Sequence, residues 1–216
     1  EKAEVVFKSS PLKEIQLPEL FTPIERVDNP LLQSYLKRRN ISKQLLVNYG
    51  CGMCLAGKYM GRLIIPVYFN GKLVAFQAAD LAGRSDIKYK ADSKDSQIKQ
   101  VFYRWDLIDK EELILVEGIL DAWRVGEVKS NVVASLGTAL SKQQKMLITK
   151  QGFKRLIIAF DSDAYFSGLS YADEFSTFIE DVQVVRFPEG HDPDSYGRDF
   201  GLLSLKDLIE KSGIIC

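Results

Sequence analysis

The stretch LILVEGILD, residues 113–121, runs four apolar side chains straight into Glu117 and Gly118, with Asp121 close behind. Leu113 to Val116 is short, apolar at every position and bounded by charge, the pattern of a strand buried on both faces of a parallel sheet. Gly118 allows a tight turn, and a helix can begin near Ile119. A carboxylate at the C-terminal end of such a strand stands on the rim where open α/β sheets bind ligands. A solvated glutamate in a βα loop would read the same way.

Two further stretches repeat the pattern. Leu156 to Phe160 is an apolar run ending in Asp161, Ser162 and Asp163. In an extended chain aspartates at i and i+2 point the same way. They repel unless a cation lies between them, and an all-oxygen set suits Mg²⁺ or Mn²⁺; an aspartate-rich turn or helix cap is the other reading. Asp192 and Asp194, in GHDPDSY at 190–196, follow the run Val182 to Phe187, with Pro193 stiffening the loop between them. Their alternative is an ordinary acidic turn.

From residue 111 onward strands at 113–116, 131–136, 155–160 and 182–187 alternate with helices at 119–128, 141–150, 169–180 and 204–212. Ser141 and Gln144 form a capping box. The alternation predicts an α/β fold, a parallel sheet with helices on both faces. Upstream, residues 1–29 are polar, with prolines at 11, 18 and 23, and read as a linker or arm anchored near Leu20 and Phe21. Asn29 and Pro30 cap and open a helix that Lys37, Arg38 and Arg39 close, and Ser42 caps a second, shorter one ending at Gly50. Arg62 to Phe69 and Lys72 to Ala79 form a hairpin across Asn70-Gly71, a type I′ turn pair. Residues 30–110 therefore read as a smaller α+β subdomain ahead of an α/β domain at 111–216.

The net charge of zero hides a division: residues 1–29 carry −2, residues 30–110 carry +8 and residues 111–216 carry −6. A basic half joined to an acidic half suits a polyanion held beside a cation site. The stretch 82–100 contains Arg84, Lys88, Lys90, Lys94 and Lys99, interleaved with Tyr89 and followed by Phe102 and Tyr103. Cations for phosphates and rings for bases suit single-stranded nucleic acid, although a solvated loop has the same composition. Three cysteines, Cys51, Cys54 and Cys216, with only one histidine, favour core-facing thiols in a reducing compartment over a zinc site. No apolar run is long enough to span a membrane. The chain starts at Glu1 without a leader-like stretch, the mark of an excised or processed cytoplasmic piece.

EGILDA at 117–122 with DSD at 161–163 resembles the Toprim domain, a Rossmann-like α/β fold shared by DnaG-type primases, type IA and II topoisomerases, OLD-family nucleases and RecR proteins. SLGTALS at 135–141, FPEGHDPDSY at 187–196, GRLIIPVYFNGKLVAFQAADL from residue 61 and IKYKADS from residue 87 are similar to primase segments and occur in the same order. The resemblance implies RNA primer synthesis on a single-stranded DNA template from ribonucleoside triphosphates, with Mg²⁺ or Mn²⁺. It implies Glu117, Asp161 and Asp163 as catalytic residues, the same three with Asp192 and Asp194 as metal ligands, and Arg62, Lys88, Lys90, Lys99 and Tyr103 on template or nucleotide. A replicative helicase would be met through regions outside this stretch. The family's DGDxAG is here DSDAYFSG, with Ser162 for a glycine and Gly168 displaced, and its GFGGR is AFQAA at 75–79. A Toprim nuclease activating water with the same acids, and a non-catalytic RecR-like nucleic-acid-binding module, are the competing functions; no tyrosine stands out as a topoisomerase nucleophile.

Overall fold

A computed structural model of the chain describes residues 11–83, 87–93, 96–109 and 111–212. The basic stretch's Arg84 and Lys94, and Cys216, lie outside the described residues. The first half builds an antiparallel sheet in the order β1-β2-β3-β4-β5, from Phe21–Pro23, Gly52–Cys54, Arg62–Phe69, Lys72–Asp80 and Tyr89–Ala91. Two helices sit between the first two strands, α1 at Pro30–Arg39 and α2 at Lys43–Asn48. Asn29 Oδ1 accepts the Leu31 N–H at 2.8 Å and Ser42 Oγ accepts that of Leu45 at 3.1 Å, so both caps form as the sequence predicts. The hairpin β3–β4 turns at Asn70 and Gly71, both at positive φ (51° and 73°) as a type I′ turn requires. The Asp106 carboxylate then accepts both of their N–H groups, each at 2.8 Å.

Two strands depart from expectation. Phe21–Pro23, expected in an extended arm, pairs with β2, and the next residue, Ile24, is fully buried. Tyr89–Ala91, expected in a polar loop, pairs with Gln77–Ala79 of β4. Both are three-residue edge strands, too short to show an alternating pattern. The thiols of Cys51 and Cys54 are free and buried.

The second half is a four-stranded parallel sheet in the order β7-β6-β8-β9. Its strands are Glu112–Val116 (β6), Val132–Ala134 (β7), Arg155–Ile158 (β8) and Asp181–Val184 (β9). Helices α3 (Ile119–Gly126), α4 (Lys142–Gln151), α5 (Tyr165–Ser176), α6 (Pro193–Phe200) and α7 (Leu202–Glu210) connect and follow them. Leu113 to Val116 are all fully buried. The pleat sends Leu113 and Leu115 to one face, with Ile148 of α4 and Phe175 of α5, and Ile114 and Val116 to the other, with Trp123 of α3 and Leu205 of α7. Helices thus cover both faces, and each buried strand side chain contributes about 1.5–3 kcal/mol. The second face shares its core with Leu63, Ile65 and Val67 of β3, so one apolar cluster joins the two sheets. Tyr103 and Ala134 add a backbone bridge, with N···O distances of 2.9 and 3.2 Å.

Candidate active site

The connection from β6 leads to β7 on one side, while β8 leads to β9 on the other, so the order reverses between β6 and β8. In open α/β sheets that crevice, at the C-terminal strand ends, is where ligands bind. Glu117 follows β6 and Asp161 lies just past β8. Glu117 Oε1 accepts the Asp161 N–H at 3.2 Å, and Oε2 accepts the Thr138 hydroxyl. The loop after β7 closes over it: the N–H groups of Leu136 and Gly137 donate to the Glu117 carbonyl at 2.9 and 3.2 Å. Leu136 holds a left-handed conformation there (φ 61°), one that a bulky side chain adopts only where surrounding contacts impose it.

Glu117, Asp121, Asp161, Asp192 and Asp194 all line one cavity of about 480 Å³, which Arg39, Gln77 and Lys88 from the first half also line. The acids from three chain segments therefore meet, together with cationic residues. Burial raises the Asp161 carboxyl to about 7, reinforced by the charges of Glu117, Asp192 and Asp163. Its Oδ1 is buried without a hydrogen-bond partner among the described residues. Such an orphaned acceptor in a crowd of like charges fits a cation. Among the described residues no three His, Cys, Asp or Glu side chains are grouped tightly enough to cage an ion alone. By donor chemistry, carboxylate oxygens suit an ion of the Mg²⁺ type, which keeps several waters and takes one or two carboxylates besides substrate phosphates.

Three of the expected acids sit differently from the reading of the sequence. Residues 162–164 form a 3₁₀ turn rather than an extended strand end, and Asp163 lines a neighbouring cavity, which Asp161 and Asp192 also border, but not the first one. Asp192 and Asp194 are not in a loop. Asp192 caps α6, accepting the Ser195 N–H at 2.6 Å, with Pro193 as the first helical residue. Asp194, 2% exposed, is taken up by arginines. Arg124 reaches its Oδ1 at 3.2 Å, while Arg198 and Arg39 reach Oδ2 at 3.2 and 3.5 Å. Arg124 also donates to the Arg39 and Asn40 carbonyls, so Asp194 fastens α1, α3 and α6 together instead of presenting a free ligand.

The basic set also divides. Lys88 lines the acidic cavity. Lys99 approaches it from behind: its Nζ donates to the Ser135 carbonyl at 3.5 Å, and burial lowers its pKa while Glu117 pulls it back up. Lys90 extends toward the Tyr59 ring, 5.9 Å from its centroid. Arg62 bridges the Ala78 and Ile87 carbonyls at 3.0 and 3.1 Å, pinning the approach to β5. Tyr103 cannot stack on a base, being 3% exposed in the core with its hydroxyl accepting the Trp123 indole N–H at 2.8 Å. Its neighbours in sequence gave no sign of this, since a ring beside lysines reads alike in a core and in a groove.

Asp121 and Arg39 are the site residues that sequence reasoning missed. The Asp121 carboxylate accepts the N–H of Gly118 and that of Asp194, both at 3.1 Å, and its pKa is raised by burial, Asp192 and Asp161. This also explains Gly118, whose φ of −111° needs no glycine: a Cβ there would lie 2.7 Å from Asp121 Oδ2. The spacing of Gly118 and Asp121, cap and third helical residue, was the available signal.

This sheet order with acids at its switch point defines the class: residues 114–197 match the Toprim-like family. A DNA primase of Aquifex aeolicus is 32% identical over 198 residues, covering 86% of this chain and 38% of the relative. The RNA polymerase domain of Mycobacterium tuberculosis primase DnaG superposes with a TM-score of 0.74 at 19% identity, over 89% of this chain and 80% of that one. A DnaG primase catalytic domain bound to single-stranded DNA gives 0.70 at 17%, over 88% and 75%. The chain carries a Toprim-like segment and is similar to the DnaG-type DNA primases over most of its length. It spans about two fifths of the length of the Aquifex relative. Among the described residues no helix is long and apolar enough to cross a membrane.

Proposed function

We propose that this chain is the catalytic core of a DNA primase, joining ribonucleoside triphosphates into short RNA primers on single-stranded DNA. One observation carries the reading: Glu117, Asp161 and Asp192 border a single cavity that Arg39 and Lys88 also line, with Asp161 Oδ1 buried and unpartnered among the described residues. Acidic residues alone would repel a triphosphate, so cation and counter-charge are needed together. Asp161 and Asp192 would hold a divalent ion, which when bound supplies neutralising charge to the phosphates. Glu117, held by Thr138 and the Asp161 N–H, would take the proton of an attacking hydroxyl. Lys88 and Arg39 bring positive charge to the cavity for the polyanion, and Lys99 interacts electrostatically with Glu117. In this reading residues 30–110 serve the template and residues 111–216 the chemistry, while the described part of 1–29 completes the first sheet. The single-stranded DNA bound to the similar DnaG domain supports a template of that kind.

The test is incubation of the chain with single-stranded DNA, labelled ribonucleotides and Mg²⁺ or Mn²⁺. Labelled oligoribonucleotides are expected. Shortened template instead would mean a nuclease, and DNA binding with no product a binding module.

A further inference from the structure

The family-like acidic segment departs from its pattern at Ala164-Tyr165-Phe166-Ser167, ahead of Gly168. Phe166 stands on the first turn of α5 and is 80% exposed. Isolated exposed apolar residues are ordinary, but this one borders a cavity of about 820 Å³ whose opposite edge is Asp161 and Asp192. The Tyr165 ring meets Phe166 edge-on, with centroids 5.8 Å apart, and the Arg186 guanidinium lies over Tyr165 at 5.4 Å. Arg186 makes no ion pair among the described residues. One cavity thus offers an aromatic face, a cation held by stacking, and the two acids that the first cavity also uses.

We propose that this second cavity takes the incoming ribonucleoside triphosphate, its base stacked on Phe166 and its phosphates running past Arg186 toward Asp161 and Asp192. The inference rests on the primase reading and extends it to the placement of one substrate. Within this cavity charge favours a metal-neutralised nucleotide over a bare strand. Asp161, Asp163, Glu189 and Asp192 face this cavity against the single guanidinium, a setting that repels a bare phosphate backbone. A metal-bound nucleotide carries its own neutralising charge and is not excluded in that way. Stacking on a ring is tolerant of base identity, as a polymerising site requires.

The experiment is calorimetric titration of the chain with ATP and with GTP in Mn²⁺, beside fluorescence anisotropy with labelled oligo-dT. Phe166→Ala should weaken both nucleotides about tenfold, Phe166→Tyr should restore binding to within about twofold, and oligo-dT affinity should stay unchanged. Because Phe166 packs against no core, the substitutions leave folding intact. Unaltered nucleotide binding in Phe166→Ala would overturn the proposal, and so would a loss of oligo-dT binding with nucleotide binding kept, which would make the ring a template platform. A wild-type chain that binds neither nucleotide would refute the primase reading itself, and the placement with it.

Discussion

Replacing Asp161 by Asn should make the metal-free protein more stable at alkaline pH. In the folded chain the Asp161 carboxyl titrates at about 7, through burial first and then Glu117, Asp192 and Asp163. In the unfolded chain it titrates near 3.9. The folded state therefore binds the proton more tightly, and ionising the group costs folding free energy. That cost is absent below about pH 4, grows between about pH 4 and 7, and is complete above. At about 1.4 kcal/mol per tenfold in proton affinity the ceiling is about 4 kcal/mol. The group is only partly buried, and solvent screening reduces this to about 1–2 kcal/mol. Asn keeps the shape and removes the charge. For a chain of this size the melting temperature should rise by about 2–8 °C near pH 8 in EDTA. Most of the gain should vanish near pH 5, where the folded wild type already holds the proton. Mg²⁺ should close the gap by stabilising the wild type and not the variant. Scanning fluorimetry across pH, with and without Mg²⁺, reads all three effects. An Asn variant no more stable than wild type near pH 8, or stabilised equally at both pH values, would refute the account of crowded carboxylates awaiting a cation.

The other expectations are more direct. Glu117→Gln should abolish primer product while leaving single-stranded DNA affinity within about twofold, since it removes a base and not a phosphate contact; gel analysis of product and anisotropy of binding check the two halves. Asp194→Ala should destabilise the chain by about 3–5 kcal/mol, because it strands the buried Arg124 guanidinium, and urea denaturation would show the fall. DNA binding should weaken steeply as salt rises, with Lys88→Ala lowering the slope of log K against log salt by about 1. A flat salt response would remove the cationic residues from the mechanism.

The parallel sheet was legible because its strands are apolar at consecutive positions and its helices carry recognisable starts. Ser141 with Gln144 is such a start, and both N–H to side-chain bonds form, at 3.0 and 3.1 Å. Asn29-Pro30 reads as cap and first turn, whereas the same chemistry at Asp192-Pro193 reads equally well as a stiff acidic loop, since an aspartate ahead of a proline suits ligation as well as capping. Glu117 and Asp161 could be placed on one rim from strand ends alone. The direction of Asp163 could not, since a 3₁₀ turn and an extended end share the same three letters. The commitment of Asp194 to Arg39, Arg124 and Arg198 was equally hidden, as the first two partners are 155 and 70 residues away. Tyr103 shows the converse error, a core residue whose local company looked like a binding surface.

The arginine cluster on Asp194 has a mechanical side. Arg39 belongs to the cationic half, while Arg124 and Arg198 belong to the acidic half, and one carboxyl receives all three. Two positions before it in the chain, Asp192 borders both cavities. A single rivet therefore ties Arg39 of the first half to the helix that Asp192 caps, so any drift of one half carries that acid along with it.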